Sequence, residues 1–400
     1  MSAQILPKLT VFATAFCLTL IISSCARSPK EKSDLPPGIV EEETSFTTVD
    51  GDILHGKYCY PTGVKSKLPA ILLLPDLGGT DADWKVAGSE QGIFQHLAYQ
   101  LASAGFLVFR FDQRGFGDST KAKPYNQSNL DQLISDSLRA LGTLKTHNLA
   151  DTERIIVISA GLSSFIAPQL ARADNSVKLL LLQNPWAESY GSYLVNSLIN
   201  YPLTRLSGIV DRNSDGIITP KEIEQLESAP EDYDFISSNY ELLFSDQEES
   251  EDEGLHFNPQ TDSNGDGILD IEKEIRPALE KQLGLFLQEK DDALTKSLLS
   301  APTPAETISG LKCFVLLWTG EKDALSPPGQ AKIFQSRLRA DNNALVINAG
   351  LGHTMSKVSE ERDSSGKALS YNDYPAIWDD ANIQELIAWL RANNSIMDKK

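Results

Sequence analysis

Six short segments of this chain are almost wholly apolar: Ala70–Leu74, Phe106–Phe111, Ile155–Ile158, Lys178–Leu182, Phe314–Thr319 and Ala344–Ile347. Between them, Ile93–Ala104, Leu130–Leu144, Ser163–Ala173 and Asn382–Asn393 repeat apolar positions at the helical period of about 3.6 residues. A strand that is apolar on both faces must be covered on both faces. Strands of that kind separated by helices predict an α/β fold with a mostly parallel sheet and helices on each side. Thr44–Val49 and Leu54–Tyr60 flank an Asp50-Gly51-Asp52 turn and predict a hairpin at the start of the sheet.

The N-terminal segment follows a different pattern. Lys8 precedes an apolar run from Leu9 to Ile22, closed by Ser23, Ser24 and Cys25. A positive start, an apolar stretch too short to span a bilayer comfortably and small residues at its end predict a secretory signal over residues 1–24. Ile22-Ser23-Ser24-Cys25 resembles a bacterial lipobox, which implies lipidation at Cys25 and a protein anchored in the bacterial cell envelope outside the cytoplasm. Residues 25–43 are rich in Pro, Ser, Lys and Glu without periodicity and read as a flexible tether.

Composition narrows the partners. The 400 residues carry a net charge of −19, which argues against nucleic acid. Six carboxylates fall within Asp246–Glu253, a pattern that predicts a solvated loop. Cys59 and Cys313 lie in or beside predicted strands with no metal-ligand spacing, so buried unpaired thiols are expected.

Asp211, Asn213, Asp215, Gly216, Ile217 and Glu222 occupy positions 1, 3, 5, 6, 7 and 12 of a twelve-residue window. Oxygen side chains at alternate positions wrap a hard cation, Gly216 allows the sharp turn, the Ile217 carbonyl supplies one ligand and Glu222 closes the site with two oxygens. Asp262, Asn264, Asp266, Gly267 and Ile268 repeat the arrangement, but position 12 is Lys273. Matching Glu274-Ile275 to Glu222-Ile223 makes this loop one residue longer and gives Glu274 as its closing carboxylate. Both windows resemble EF-hand calcium loops, and the resemblance implies Ca²⁺ as the bound ion.

The order of the remaining motifs resembles the α/β-hydrolase family over residues 44–189 and 300–395. Asp112-Gln113-Arg114-Gly115-Phe116-Gly117-Asp118-Ser119 is similar to the turn after that family's fourth strand. Gly320-Glu321-Lys322-Asp323 resembles the loop of the catalytic acid, and Gly350-Leu351-Gly352-His353 that of the catalytic histidine. Leu74-Pro75-Asp76-Leu77-Gly78-Gly79 resembles the oxyanion loop, with Pro75-Asp76 in place of the usual His-Gly. The resemblance makes residues 190–299 a lid insertion over the carboxyl ends of the strands, with both calcium loops inside it.

The family's Gly-x-Ser-x-Gly elbow corresponds here to Ser159-Ala160-Gly161-Leu162-Ser163, so a glycine stands at the nucleophile position. Asp323 and His353 are then an acid–histidine pair without a serine. Three functions follow as expectations. The first is a calcium-binding, lipid-anchored pseudo-hydrolase that holds a small-molecule or acyl ligand, or a partner, in the cleft under the lid. The second is an active ester or amide hydrolase using a displaced serine, Ser163, or the Asp323–His353 pair as general base on water. The third is a calcium-dependent adhesion or assembly module.

Overall fold

The structure is a computed structural model that describes residues 35–85, 91–224, 240–244, 256–289, 292–362, 368–372 and 378–393. The leader, Cys25 and the acidic run at 246–253 lie outside the described residues.

Eight strands form one sheet in the order β1-β2-β4-β3-β5-β6-β9-β10. They are β1 (Ile39–Thr47), β2 (Ile53–Pro61), β3 (Leu68–Leu74), β4 (Leu107–Phe111), β5 (Ala150–Ala160), β6 (Val177–Gln183), β9 (Phe314–Gly320) and β10 (Asn343–Asn348). The first pair is antiparallel, β2 runs antiparallel to β4, and the other pairings are parallel. The predicted hairpin is longer than its alternating segments suggest. Ile39 already pairs with Pro61, so five residues of the expected tether belong to the sheet.

Alternate residues of each central strand serve opposite faces, as the pleat requires. Ile71, Leu73, Val108, Ile156, Ile158, Leu179, Leu181 and Leu316 pack with α1 (Ile93–Ser103) and the helix Asp380–Ala392. Leu72, Phe109, Val157, Leu180, Leu182 and Val315 pack on the other face with α2 (Leu130–Thr146) and α3 (Ala167–Ala173). Asn129 starts α2 with a reciprocal cap, its Oδ1 accepting from the Gln132 amide while Gln132 Oε1 accepts from the Asn129 amide.

The insertion between β6 and β9 has its own core, in which Leu203, Leu206, Val210, Ile218, Ile223, Leu269, Ile271 and Ile275 are buried together. A helical stretch from Tyr190 to Val210, with π turns at Asn196–Asn200 and Leu206–Val210, leads directly into the first acidic loop.

The chain leaves β3 for β4 on one side and later returns to β5 on the other. Open α/β sheets bind ligands beyond the carboxyl ends of their strands at such a reversal. Asp76 follows β3, Gly161 follows β5, Asp323 follows β9 and His353 follows β10, all at that end.

Candidate active site

Strand β5 passes into a 3₁₀ turn at Gly161–Phe165 and then into α3. Gly161 has φ +50°, the left-handed conformation of a strand-to-helix elbow. The elbow therefore keeps its shape, with a residue that holds it at little cost. The imidazole of His353 lies beside it, with Nδ1 2.8 Å from Asp323 Oδ2. The expected acid–histidine pair is assembled in space.

The position of the missing hydroxyl is filled by a carboxylate. Asp76 Oδ2 lies 3.2 Å from His353 Nε2. Asp76 Oδ1 accepts hydrogen bonds from the backbone amides of Leu77 and Leu162, each at 2.7 Å. Leu162 follows the elbow residue and Leu77 belongs to the loop after β3. These are the two amides that an oxyanion would use in a hydrolase of this fold. A Cβ on Gly161 would collide with the carboxylate of Asp76, so a side chain at 161 requires that carboxylate to swing out of its present position. The sequence marks Pro75-Asp76 only as a departure from His-Gly. Its signal was there in the pairing of two departures, an acid at 76 and a glycine at 161, but contact between them becomes visible only in three dimensions.

His353 thus lies between two carboxylates. Burial by itself would favour the neutral imidazole. The charges and hydrogen bonds of Asp323 and Asp76 outweigh it and hold the ring well above its ordinary pKa. Its loop is anchored by Gln183 and Asn184, whose side-chain amides donate to the His353 carbonyl at 2.7 and 2.6 Å. Asn184 also accepts from the Gly320 amide at 2.7 Å, tying the acid loop to the histidine loop. The Ser326 amide donates to Asp323 Oδ1 at 2.8 Å and leaves Oδ2 for the imidazole. Asn184 carries no motif of its own, and sequence reasoning misses it.

Ser163 is not placed as a nucleophile. Its hydroxyl is buried and donates to the Pro75 carbonyl, on the packing side of the turn. The Ser164 hydroxyl donates to the Trp186 carbonyl at 2.8 Å. Two residues past the elbow in this 3₁₀ turn, a side chain has rotated about 240° around the axis, which takes it away from His353.

The Asp112–Ser119 motif is structural. Asp112 accepts from the amides of Ala82 and Asp118, at 2.6 and 2.8 Å, and fastens the loop that carries Asp76. Burial pushes its carboxyl up to about 6, against the pull of those amides. Arg114 is buried and joins Asp136 of α2 to Asp50 and Asp52 of the β1–β2 turn.

The two acidic loops have matching internal geometry. In the first, the Gly216 amide donates to Asp211 Oδ2 at 3.0 Å and the Ile217 amide to Asp215 Oδ1 at 2.8 Å. In the second, Gly267 donates to Asp262 Oδ2 at 3.0 Å and Ile268 to Asp266 Oδ1 at 3.1 Å. Asn213 and Asn264 each donate to the aspartate two residues on. The strands β7 (Ile217–Ile218) and β8 (Leu269–Asp270) pair antiparallel and join the loops back to back.

Glu222 accepts from the Thr219 amide at 3.0 Å. Glu274 reaches across its loop to the Ser263 and Asp270 amides, at 3.0 and 2.9 Å, and is buried. The segment that follows β8 is a π turn at Ile271–Ile275, which includes Glu274. Among the described residues no group of three or more His, Cys, Asp or Glu is drawn together as a metal cluster. The carboxylates instead hold their own loop amides. The donor set itself, short oxygen side chains with a carbonyl at position 7, suits a hard divalent cation.

The chain is similar to several known proteins. Residues 87–224 match the family model described as serine aminopeptidase, S33. That stretch includes the elbow and the first acidic loop but not Asp76, Asp323 or His353. The chain is 28% identical over 161 residues to Esterase EstD of Thermotoga maritima, covering 40% of this chain and 37% of that protein. The match thus spans little more than a third of the esterase's length. Among solved structures, the α/β hydrolase GrgF of Penicillium sp. is 15% identical with a TM-score of 0.48, covering 90% of this chain and 98% of that one. An esterase of Pyrococcus furiosus is 13% identical with a TM-score of 0.47, covering 88% and 91%. The parallel strand order, the elbow after β5, and the acid and histidine after the last two sheet strands make this chain a protein of the α/β-hydrolase fold.

Proposed function

We propose that the protein is a hydrolase in which the Asp323–His353 pair serves a carboxylate, Asp76, instead of a serine hydroxyl. The single observation that carries this reading is the position of Asp76, with one oxygen on the imidazole and the other on the two oxyanion amides. A remnant of a lost serine site would have no reason to retain an oriented histidine, a buried acid behind it and both amides in register. Asp323 orients the ring and stabilises its charge, and His353 moves a proton at Nε2. The displaced-serine route through Ser163 is set aside, because that hydroxyl faces Pro75.

The lid loops would hold Ca²⁺ through Asp211, Asn213, Asp215, the Ile217 carbonyl and Glu222, and through Asp262, Asn264, Asp266, the Ile268 carbonyl and Glu274. Bound ions would brace the insertion. Affinities near those of extracellular modules, on the order of 10⁻⁴–10⁻³ M, suit a protein held in the cell envelope by a lipid on Cys25.

The test is hydrolysis of a broad ester, amide and alkyl-leaving-group panel by the purified mature chain in calcium, beside His353→Gln. Turnover lost in that variant supports the reading. No turnover of any class by the folded wild type would remove it. That outcome would favour the second reading, a pseudo-hydrolase in which Asp76 closes the oxyanion site and the cleft only binds a ligand.

A further inference from the structure

We propose that Asp76 is a covalent nucleophile and that its substrates are alkyl compounds in which a saturated carbon bears a leaving group stable as an anion, such as a halide or sulfonate. The inference rests on the hydrolase reading above and names its substrate class.

The argument begins with what the site cannot do. An acyl substrate needs its carbonyl oxygen between the Leu77 and Leu162 amides as negative charge develops. Asp76 Oδ1 already takes both donors at 2.7 Å. Neither serine of the turn offers a hydroxyl to His353, since Ser163 and Ser164 are held by the Pro75 and Trp186 carbonyls. The oxyanion site is therefore committed to a group of the protein itself.

Attack on a saturated carbon has no such requirement. The carbon passes through no oxyanion, so the first step needs only an oriented carboxylate with one oxygen exposed to the substrate. Asp76 is oriented by three hydrogen bonds, and its side chain and that of His353 keep 18% and 13% of their surface exposed. Oδ2 attacks with a lone pair, the new carbon–oxygen bond forms and the leaving group departs with the electrons of its bond. The product of this step is an alkyl ester on Asp76.

The same two amides then serve the second step. Water attacks Cγ of the ester and His353 Nε2 takes its proton. Negative charge gathers on Oδ1, which already lies between the Leu77 and Leu162 amides. Collapse breaks the Cγ–Oδ2 bond, and the alkoxide leaves with Oδ2 and takes the proton from His353. Asp76 is regenerated with an oxygen from water and releases the second proton to solvent. Overall, the alkyl compound and water give an alcohol and the acid of the leaving group.

The charge on the site changes in step with this sequence. Asp76 and Asp323 together favour the imidazolium. Esterification removes the charge of Asp76, so the ring loses one of its two anionic neighbours, gives its Nε2 proton to solvent and is neutral when it must act as a base; it takes a proton back when the Asp76 carboxylate is regenerated.

The experiment uses the full mature chain with bromobutane and bromo-octane as probes, followed by intact-mass and peptide mass spectrometry. In His353→Gln, the expected result is a stable mass gain of one alkyl group on the Asp76 peptide. In wild type, a single turnover in H₂¹⁸O places the label in Asp76 and unlabelled oxygen in the alcohol. Asp76→Asn, checked for folding by circular dichroism, gives neither. Ester turnover without an adduct at Asp76 overturns the covalent route and leaves the hydrolase reading standing. Absence of both adduct and turnover of every class removes both.

Discussion

Asp76 and Gly161 are halves of one arrangement: the carboxylate lies where any side chain at 161 would begin. Gly161→Ser alone therefore gives a serine site only at the cost of moving Asp76. The hydroxyl would have to expel Asp76 from two amides and an imidazole. Charge-assisted hydrogen bonds contribute about 1.5–3 kcal/mol each, so the single variant should label with a fluorophosphonate at least about tenfold more slowly than Gly161→Ser combined with Asp76→Gly. Equal labelling of the two would show that the carboxylate does not hold the site.

His353 offers a readout through its charge. Its folded pKa is raised above the unfolded value of about 6.5. Its contribution to stability is therefore fully present below pH about 6.5 and is lost as pH rises through the folded value. Asp76→Asn should lower the imidazole's midpoint in an NMR titration and flatten the decline of Tm on the alkaline side. An unchanged midpoint would mean that Asp76 does not act on the ring.

Ser163→Ala separates packing from chemistry. The variant leaves the buried Pro75 carbonyl without its donor, at a cost of about 1–3 kcal/mol. Urea unfolding should report that loss, while a histidine-dependent activity persists. Abolished activity at unchanged stability would return Ser163 to the reaction.

The second acidic loop has two carboxylates near its end, and the structure distinguishes them. Glu274 is buried and folded over its loop, whereas Glu272 is exposed and paired with Arg276 at 2.6 Å. Calorimetric Ca²⁺ titration should lose the second site in Glu274→Gln and keep it in Glu272→Gln. The reverse result would move the closing ligand to Glu272.

Arg114 carries a large structural role. Arg114→Met leaves Asp50, Asp52 and Asp136 facing one another without their cation. Breaking a buried ion pair in this way costs about 3–5 kcal/mol. Thermal unfolding should register it as a loss of several degrees or more, with no change in chemistry per folded molecule.

The scaffold was legible because its strands are apolar on both faces, a pattern that few other environments permit. Asp323, His353 and Gly161 could be located for a related reason: each lies at a fixed point after a recognisable strand. Asp76 escaped because its role depends on contact with residues 86 and 277 positions away, Leu162 and His353, which no local pattern records. Asn184 escaped likewise, since it works by binding two loops together. Ile39–Glu43 reads as tether because Glu41, Glu42 and Glu43 suggest a solvated segment. Pairing with β2 overrides that composition, and Glu41 finds a buried partner in Arg110.

The crowding at the elbow also bears on history. A lineage that joins this chain to serine hydrolases by single replacements meets a cost at that point: wherever a side chain at 161 and an acid at 76 coexist, the acid must give up its two amides and swing out of the space it fills here.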